Sequence, residues 1–381
     1  MVDPGRILGQ PHTLMQLIII WEIKQRPLQL PPIYVITHIP EAILGMKSLI
    51  LAVLLALAAV PLSASAGQHR EYWVAAEPVT WDYAPSGKNL IHPGADLGVW
   101  GERLRYAKYR FVGYTDASYK TPIPQPEWRG ILGPELVGEV GDTLKVHFRN
   151  RADRPFSMHP HGLRYDEDND GADHRGAGAS IAPGASYTYT WVVDEKAGPG
   201  PADPSSIVWL YHSHVDHVDD IYQGLIGTIV ITRKGMAISQ ADPRPRDVDR
   251  NFTTLFMVFD EEDGAEGGLK HAMNGYIFGN LRGLEAIAGE RVRWHLVALG
   301  SEVDLHTAHW HGDTVLEHGR RTDVIELLPA SMVSVDMVAD NPGTWLYHCH
   351  VGDHMTAGMM TRWTVKPRPQ PTGSPPGPPP N

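Results

Sequence analysis

The sequence predicts an all-β protein built from two small antiparallel β-sandwich domains. The 381 residues are enough for two or three domains, and the 38 glycines and 32 prolines favour short strands joined by turns. Several segments alternate apolar and polar residues with the period of a half-buried strand. The chain also repeats itself, which indicates two similar halves.

The repeat is most evident around histidine-containing segments. Trp209 to Val215 reads WLYHSHV and Trp345 to Val351 reads WLYHCHV, a difference of one residue. Upstream, HPHG at 159–162 corresponds to HWHG at 309–312. The paired segments have similar spacings that differ only by loop lengths, so we infer a duplicated domain.

The alternating segments place strands in both halves. The segments that we predict as strands are Thr143–Phe148, Ser186–Val192, Gly227–Thr232, Arg291–Leu296 and Met332–Met337. The predicted domains are residues 67–235 and 251–366, joined by a polar linker at 236–250 that contains Pro243 and Pro245. Residues 367–381 form a proline-rich tail that we expect to be disordered.

Residues 46–66 have the pattern of a secretory signal peptide. Lys47 precedes an apolar run that ends at Val60, and Ala64-Ser-Ala66 is a small-residue cleavage site. The alternative is a membrane anchor, but Leu49–Val60 is too short to span a bilayer comfortably. We therefore expect a secreted or periplasmic protein without a membrane segment, and we interpret residues 1–45 as a mis-assigned N-terminal extension.

Charge and cysteine content exclude some classes of protein. Lys and Arg number 33 against 44 Asp and Glu, a net charge of -11, which disfavours a general nucleic-acid binder. Cys349 is the single cysteine, so no intramolecular disulfide can form.

Twenty histidines are more than packing requires, and eight of them form four His-x-His pairs. Alternating side chains along a strand would place both imidazoles of a pair on one face, as a chelate. One pair could arise by chance, but four at corresponding places of a repeat indicate a multinuclear metal site. The pairs are His159/His161, His212/His214, His309/His311 and His348/His350.

Cys349 indicates the metal. In His348-Cys349-His350 the same alternation sends the thiolate to one face and the imidazoles to the other, so two metal centres would lie back to back. His306, His354 and Met359 are spaced to join the thiolate, and two imidazoles, a thiolate and a weak thioether make a blue-copper site. The alternative for Met359 is a core residue, with Met360 as a competing side chain. Ser213 replaces the thiolate in the first half, which should hold no blue copper.

With these motifs the chain resembles the multicopper oxidases over nearly all of residues 71–366, and among them the ceruloplasmin group. The matching motifs are Trp81-Asp-Tyr-Ala84, Tyr211-His-Ser-His-Val215, Gly224-Leu-Ile-Gly227, Leu305-His-Thr-Ala-His-Trp-His-Gly312 and His348-Cys-His-Val-Gly-Asp-His354. Having two domains, it is also similar to the small two-domain laccases. The resemblance implies cupredoxin-like Greek-key β-sandwiches.

The resemblance also implies four coppers per chain. It assigns the type 1 copper to His306, Cys349, His354 and Met359, and the type 2 copper to His159 and His309. The type 3 pair falls to His161, His212, His214, His311, His348 and His350. The implied reaction is one-electron oxidation of a small reductant at the type 1 copper, coupled to four-electron reduction of dioxygen to water at the three-copper cluster.

The same resemblance implies a homotrimer. Ceruloplasmin closes six domains in a ring, which three two-domain chains could reproduce head to tail, with each cluster between neighbours. Two other functions remain open: a two-domain nitrite reductase, disfavoured because Ser213 occupies the position where that family has its cysteine, and a copper storage protein without turnover.

Three further residues or runs bear on catalysis. Tyr165 matches a tyrosine near the cluster of small laccases and is either an electron donor or a packing residue. Asp353 matches an aspartate of the ceruloplasmin iron site, with Glu261 or Asp263 as a second carboxylate. The alternative is that Asp353 only caps a turn or orients His354. Metal ions such as Fe(II) or Cu(I) are therefore favoured over phenols as reductants. The acidic runs at 166–170 and 260–263 are otherwise expected to be solvated loops.

The remaining histidines are not expected to bind metal. We interpret His174 and His217 as surface residues. His147, His271 and His295 are expected to pack or to form hydrogen bonds.

Overall fold

The computed structural model describes residues 67–172 and 175–369. The predicted N-terminal extension and signal peptide lie outside the described residues, as do His174 and the tail from residue 370 onward. In the described part of the chain, no helix is long and apolar enough to cross a membrane.

The first half of the described chain forms two four-stranded sheets. Its strands are β1 (His69–Asp82), β2 (Arg105–Tyr114), β3 (Glu135–Glu139), β4 (Thr143–Asn150), β5 (His159–Pro160), β6 (Ser186–Val192), β7 (Ser206–His212) and β8 (Ile226–Thr232). The sheet orders are β2-β1-β4-β6 and β3-β8-β7-β5. A short helix, α1 (His217–Tyr222), follows β7.

The second half repeats this arrangement with additional strands. Its strands are β9 (Arg250–Asp260), β10 (Leu269–Met273), β11 (Glu285–Ile287), β12 (Arg291–Ala298), β13 (His306–Trp310), β14 (Val315–Glu317), β15 (Arg320–Thr322), β16 (Val324–Leu327), β17 (Met332–Val338), β18 (Gly343–Cys349) and β19 (Met360–Lys366). The sheets run β10-β9-β12-β17-β14-β15 and β11-β19-β18-β13-β16. Helix α2 (Gly352–Thr356) follows β18 as α1 follows β7.

The all-β prediction is confirmed, and strands β4, β6, β8, β12 and β17 cover the five predicted segments. The sandwiches are mainly antiparallel, as expected, but not throughout. Each described sheet contains one parallel pair, namely β1/β4, β3/β8, β9/β12 and β11/β19. The pairs correspond between the halves, because in each half the chain crosses between sheets before returning beside an earlier strand.

Strands β8 and β12 are buried on both faces, although the alternation predicted half-buried strands. One face of β8 contributes Ile229 and Ile231 to the core of the first sandwich. Its other face contributes Ile226 and Val230 to a core that also contains Val297, near the end of β12. A third hydrophobic core therefore joins the two halves, and it covers the faces that the sequence pattern left exposed.

Strand β8 ends at Thr232 and β9 begins at Arg250. The intervening segment, which includes the predicted linker, contains an isolated bridge between Ala237 and Pro245. Arg246 and Met236 also pair through their backbones.

Candidate metal centres

The single cysteine lies among two imidazoles in the core of the second sandwich. The Sγ atom of Cys349 is 3.9 Å from Nδ1 of His306 and 3.7 Å from Nδ1 of His354, and the two nitrogens are 3.1 Å apart. His306 begins β13, Cys349 ends β18 and His354 lies in α2, so three elements converge here. All three residues are buried, which excludes water from the group.

Met359 lies beside this group. It is fully buried in the same hydrophobic core as Cys349, and its backbone C=O accepts a hydrogen bond from the Cys349 N–H at 3.0 Å. Met360 follows on β19 and is not among the residues of that core cluster. Of the two methionines that the sequence offered, the fold therefore brings Met359 to the cysteine.

The electrostatics of this group favour a thiolate. Burial raises the pKa of Cys349, but hydrogen bonds from His306 and His354 outweigh it and lower the pKa to about 6. The thiolate is the form that binds soft metals.

Asp304 is a functional residue that the sequence analysis missed. Its Oδ1 lies 3.0 Å from Nε2 of His306, and both side chains are fully buried. Asp304 is itself held by the backbone N–H groups of Val258 and Ser301. The Nε2 edge of His306 is thereby occupied, which leaves Nδ1 facing Cys349. An Asp-x-His spacing was the available signal, although it is common in loops.

A second group of imidazoles lies at one end of the first sandwich. Nε2 of His161 and Nε2 of His212 are 3.1 Å apart. The ring of His159 is centred 5.5 Å from that of His212 and 5.3 Å from that of His214. Burial lowers the pKa of His161 to about 4 and that of His212 to about 3, which keeps these rings neutral and able to bind metal.

A third group occupies the corresponding place in the second sandwich. Nε2 of His348 is 3.1 Å from Nε2 of His311 and 3.2 Å from Nδ1 of His309. The ring of His350 is centred 5.1 Å from that of His309. His348 is adjacent to Cys349 in β18, so the thiol group and this imidazole group lie back to back on one strand, as the alternation predicted.

The second histidine of each pair lies just past the end of its strand. Gly162 and Gly312, which follow the pairs at 159/161 and 309/311, both have a left-handed backbone, with φ of 73° and 74°. A Cβ at Gly162 would overlap the ring of Trp209, and a Cβ at Gly312 would press on Trp345. The tryptophans of the WLYH segments thus pack against the turns that present His161 and His311.

The two imidazole groups are separate within one chain. Over residues 67–172 and 175–369, the ring contacts and hydrogen bonds of His159, His161, His212 and His214 do not include the histidines of the other group. Each group brings together candidate ligands from one sandwich only, and both contain a set of three that could hold a metal ion.

Most of the acidic run at 166–170 is exposed, as a solvated loop would be, but Asp170 at its end contacts a candidate ligand. Nδ1 of His159 lies 2.7 Å from the backbone oxygen of Asp170 and 3.1 Å from its Oδ1. The ring of Tyr165 is centred 6.1 Å from that of His159 and packs on the first core. Burial and the nearby Asp170 carboxylate raise the pKa of Tyr165. Asp170 therefore positions His159, with Tyr165 alongside.

The second acidic run also differs from expectation. The Glu261 side chain is only 8% exposed, and it accepts hydrogen bonds from the buried Lys108 ammonium and the Tyr83 hydroxyl of the first half. Its carboxylate is thus part of the junction between the halves. Asp263 is exposed, with a left-handed backbone at φ 51°, and Asp353 is exposed in the first turn of α2. Asp353 is not the N-cap of α2, which is Val351.

Four histidines that were not expected to bind metal have other surroundings. His147 stacks on Trp73, and Nδ1 of His295 lies 2.7 Å from the Ser334 hydroxyl. His217 is exposed, and its ring stacks on that of His214. His271 lies nearer to the thiol group than we expected, with its ring centred 4.9 Å from that of His354.

The chain is similar to known proteins over both halves. Two multicopper oxidase sequence profiles match residues 129–235 and 254–369. Hephaestin of Homo sapiens is 37% identical over 342 residues, which is 79% of this chain and 30% of that protein. Ferroxidase HEPHL1 of Mus musculus is 36% identical over 78% of this chain and 29% of its own length. Ceruloplasmin of Homo sapiens is 34% identical over 78% of this chain and 30% of its own length.

The chain spans about 30% of the length of these relatives. A solved structure described as a multicopper oxidase aligns with a TM-score of 0.57 at 22% identity, covering 78% of this chain and 89% of its own. That likeness supports the fold. The two profile matches and the similarity to hephaestin and ceruloplasmin, in agreement with the thiol and imidazole groups described above, show that the chain belongs to the multicopper oxidase family.

Proposed function

We propose that this protein is a copper-dependent oxidase that couples one-electron oxidation of a small reductant to reduction of dioxygen to water. The observation that carries the proposal is the placement of the Cys349 group and the His348 group back to back on β18. Soft thiolate and thioether ligands with imidazoles suit copper, and an all-imidazole group suits copper as well.

The donor sets fit four coppers. His306, Cys349, His354 and Met359 would hold a type 1 copper, and His159 and His309 a type 2 copper. A type 3 pair would be held by His161, His212, His214, His311, His348 and His350. When bound, copper supplies the single-electron chemistry at the thiolate group and the four-electron reduction of dioxygen at the imidazole groups.

The protein's own residues orient and connect these centres. Asp304 fixes His306, and Asp170 fixes His159, each by occupying the ring nitrogen that faces away from the other ligands. Cys349 is peptide-bonded to both His348 and His350, so a covalent path of one residue joins the thiolate group to the imidazole group. Burial of Cys349, His306 and His354 excludes water from the electron-transfer site.

The separation of the imidazole groups supports a cluster shared between chains. The group in the first sandwich supplies His159, His161, His212 and His214, and the group in the second supplies the other four histidines. A head-to-tail homotrimer would bring one group of each kind together at every subunit interface. We propose this assembly, with an exported, secreted or periplasmic location.

We propose metal ions such as Fe(II) or Cu(I), ahead of phenols, as the reductant. Asp353 supports this choice, because an exposed carboxylate immediately precedes the buried ligand candidate His354. Hard oxygen ligands stabilise Fe(III) over Fe(II) and so make the metal a better donor. Glu261 does not add to such a site, because its carboxylate is bound to Lys108. Asp263 is instead the candidate for a second carboxylate ligand of the metal-ion reductant.

The test is copper binding together with turnover. The purified protein, loaded with copper, should bind four coppers per chain, show an intense blue absorption, and consume dioxygen with a chemical reductant without releasing hydrogen peroxide. The variant Cys349→Ser should lose the blue colour and turnover yet keep the copper of the imidazole groups. A copper-loaded protein that takes up no oxygen would instead be a storage protein, and a blue Cys349→Ser variant would refute the assignment.

A further inference from the structure

The first sandwich contains a counterpart of the cysteine site in which every ligand is replaced. Counting back from His159 and His309, Phe156 stands where the second half has His306, and Arg154 stands where it has Asp304. Ser213 stands in the place of Cys349. Both Phe156 and Ser213 are fully buried, so the counterpart is a packed interior site.

The backbone frame of this site is the same in both halves. The Ser157 N–H donates to Ser213 Oγ at 3.1 Å, as the Thr307 N–H donates to Cys349 Sγ at 3.5 Å. The His214 N–H donates to the Ser157 hydroxyl at 3.0 Å, as the His350 N–H donates to the Thr307 hydroxyl at 3.2 Å. These matched contacts orient the second histidine of each pair.

What differs is the group that closes the site. In the second half, His306 and His354 face the thiolate. In the first half, Asp220 of α1 takes that role, with its side chain only 1% exposed. Its Oδ2 accepts hydrogen bonds from the Ser213 hydroxyl at 2.6 Å and from the backbone N–H groups of Val215 and Asp216, both at 3.2 Å.

Asp220 therefore binds the chain on both sides of His214. Its charge is balanced by Arg154, whose Nη2 lies 3.3 Å from Asp220 Oδ1 and whose guanidinium lies over the Phe156 ring. Ser213, which lies between the two histidines, also contacts His212: its backbone oxygen is 2.8 Å from Nδ1 of that imidazole. Both imidazoles of the pair thus depend on the conformation of residues 213–216.

We propose that Asp220 is a positioning residue for the copper ligands of the first sandwich. It fixes residues 213–216 so that His212 and His214 face the shared cluster. This inference rests on the proposed function, since it assumes that these two histidines bind copper. It assigns Asp220 no contact with the reacting atoms.

The test is copper affinity in Asp220→Asn, a change that keeps the side-chain volume but replaces one acceptor oxygen by a donor. Loss of such an outer contact weakens metal binding about 10- to 100-fold. We expect the copper-loaded variant to lose cluster copper during dialysis against a chelator under conditions in which the wild type keeps it. Its blue absorption should match the wild type, because the Cys349 site lies in the other sandwich.

Asp219→Asn is the matched control. Asp219 has the same side chain, is adjacent, and also pairs with Arg154, but its carboxylate has no hydrogen bond to residues 213–216. The variant Asp219→Asn should keep as much cluster copper as the wild type in the same dialysis. Should Asp220→Asn not fold, Ser213→Ala is the substitute. It removes the 2.6 Å bond to Asp220, together with the bond that Ser213 Oγ accepts from the Ser157 N–H, and it should weaken cluster copper in the same direction.

The outcomes separate the two proposals. If the wild type does not bind four coppers, the proposed function fails. If the wild type does so, and Asp220→Asn or its substitute Ser213→Ala keeps cluster copper with only a lower melting temperature, then Asp220 has a purely structural role and this inference is overturned.

Discussion

At the scale of single residues, four of the candidate ligand histidines have one ring nitrogen occupied by a hydrogen bond to a residue outside the ligand set or to the backbone. His159 turns Nδ1 to Asp170, and His306 turns Nε2 to Asp304. His212 and His348 turn Nδ1 to the backbone oxygen of the next residue. The nitrogen left for a metal is thus set before any metal binds, which lowers the reorganisation needed on binding.

Asp353 provides the residue-scale prediction on substrate choice. In Asp353→Ala, we expect kcat/KM for Fe(II) to fall about tenfold or more, because an exposed carboxylate beside His354 is lost. Turnover of a bulky phenol should change by less than about twofold, since an uncharged donor gains little from a carboxylate. Steady-state kinetics on equally copper-loaded proteins measures both.

Asp263→Ala is the comparison for this prediction. A selective loss of Fe(II) turnover in both variants would place two carboxylates at the donor site. Equal losses for Fe(II) and phenol in Asp353→Ala would reject an iron-binding role and leave Asp353 as a residue that orients His354.

At the scale of strands and helices, the sequence predicted the regular parts of the fold well. Strand β6 has the predicted bounds, and β4 alternates between buried and half-buried residues along its whole length. The period of two is a local property, so it can be read without knowing the neighbours. The histidine pairs were found for the same reason, because their ligand spacing is local.

Features that depend on distant parts of the chain could not be predicted. The burial of β8 and β12 on both faces arises from the other sandwich, and the Lys108–Glu261 ion pair joins residues far apart in sequence. Asp170 and Glu261 were taken for solvated residues because acidic runs usually are. Their partners, His159 and Lys108, become neighbours only after folding.

His295 on β12 provides the element-scale prediction. Burial, together with the nearby Arg293 and Arg129, lowers its pKa to about 3, against about 6.5 for an unfolded histidine. Between these values the unfolded chain binds a proton that the folded chain does not. The contribution of His295 therefore reduces the free energy of unfolding as the pH falls from about 6.5 towards 3, by up to about 1.4 kcal/mol per pH unit.

The variant His295→Gln cannot take up this proton. At pH 7.5 we expect it to be less stable than the wild type, because the contact with Ser334 is altered. The difference in the free energy of unfolding between the variant and the wild type should shrink or change sign by pH 5. Denaturant unfolding at both pH values measures it, and a deficit that stays constant would show that His295 does not contribute to acid sensitivity.

At the scale of the whole molecule, the two sandwiches form one described unit, yet each has its own imidazole group. The junction is extensive: a shared hydrophobic core is joined by the Lys108–Glu261 pair and by bonds from Arg293 to Ser205 and Ser206. A junction of this kind holds the halves in a fixed orientation. The partner for each imidazole group is then best supplied by another subunit.

The proposed homotrimer leads to a complementation prediction. Two double variants are needed. One carries His159→Ala and His161→Ala, which disrupts the imidazole group of the first sandwich. The other carries His309→Ala and His311→Ala, which disrupts the imidazole group of the second sandwich. Each protein alone should lack the cluster and take up no oxygen. In trimers assembled from equal amounts of both, about a quarter of the interfaces join an intact group of each kind, so oxygen uptake should return to roughly that fraction of wild type.

Light scattering should give a trimer mass for every sample. Mixed assemblies without recovered activity, or a fully copper-loaded, active monomer, would show that the cluster is not shared between subunits.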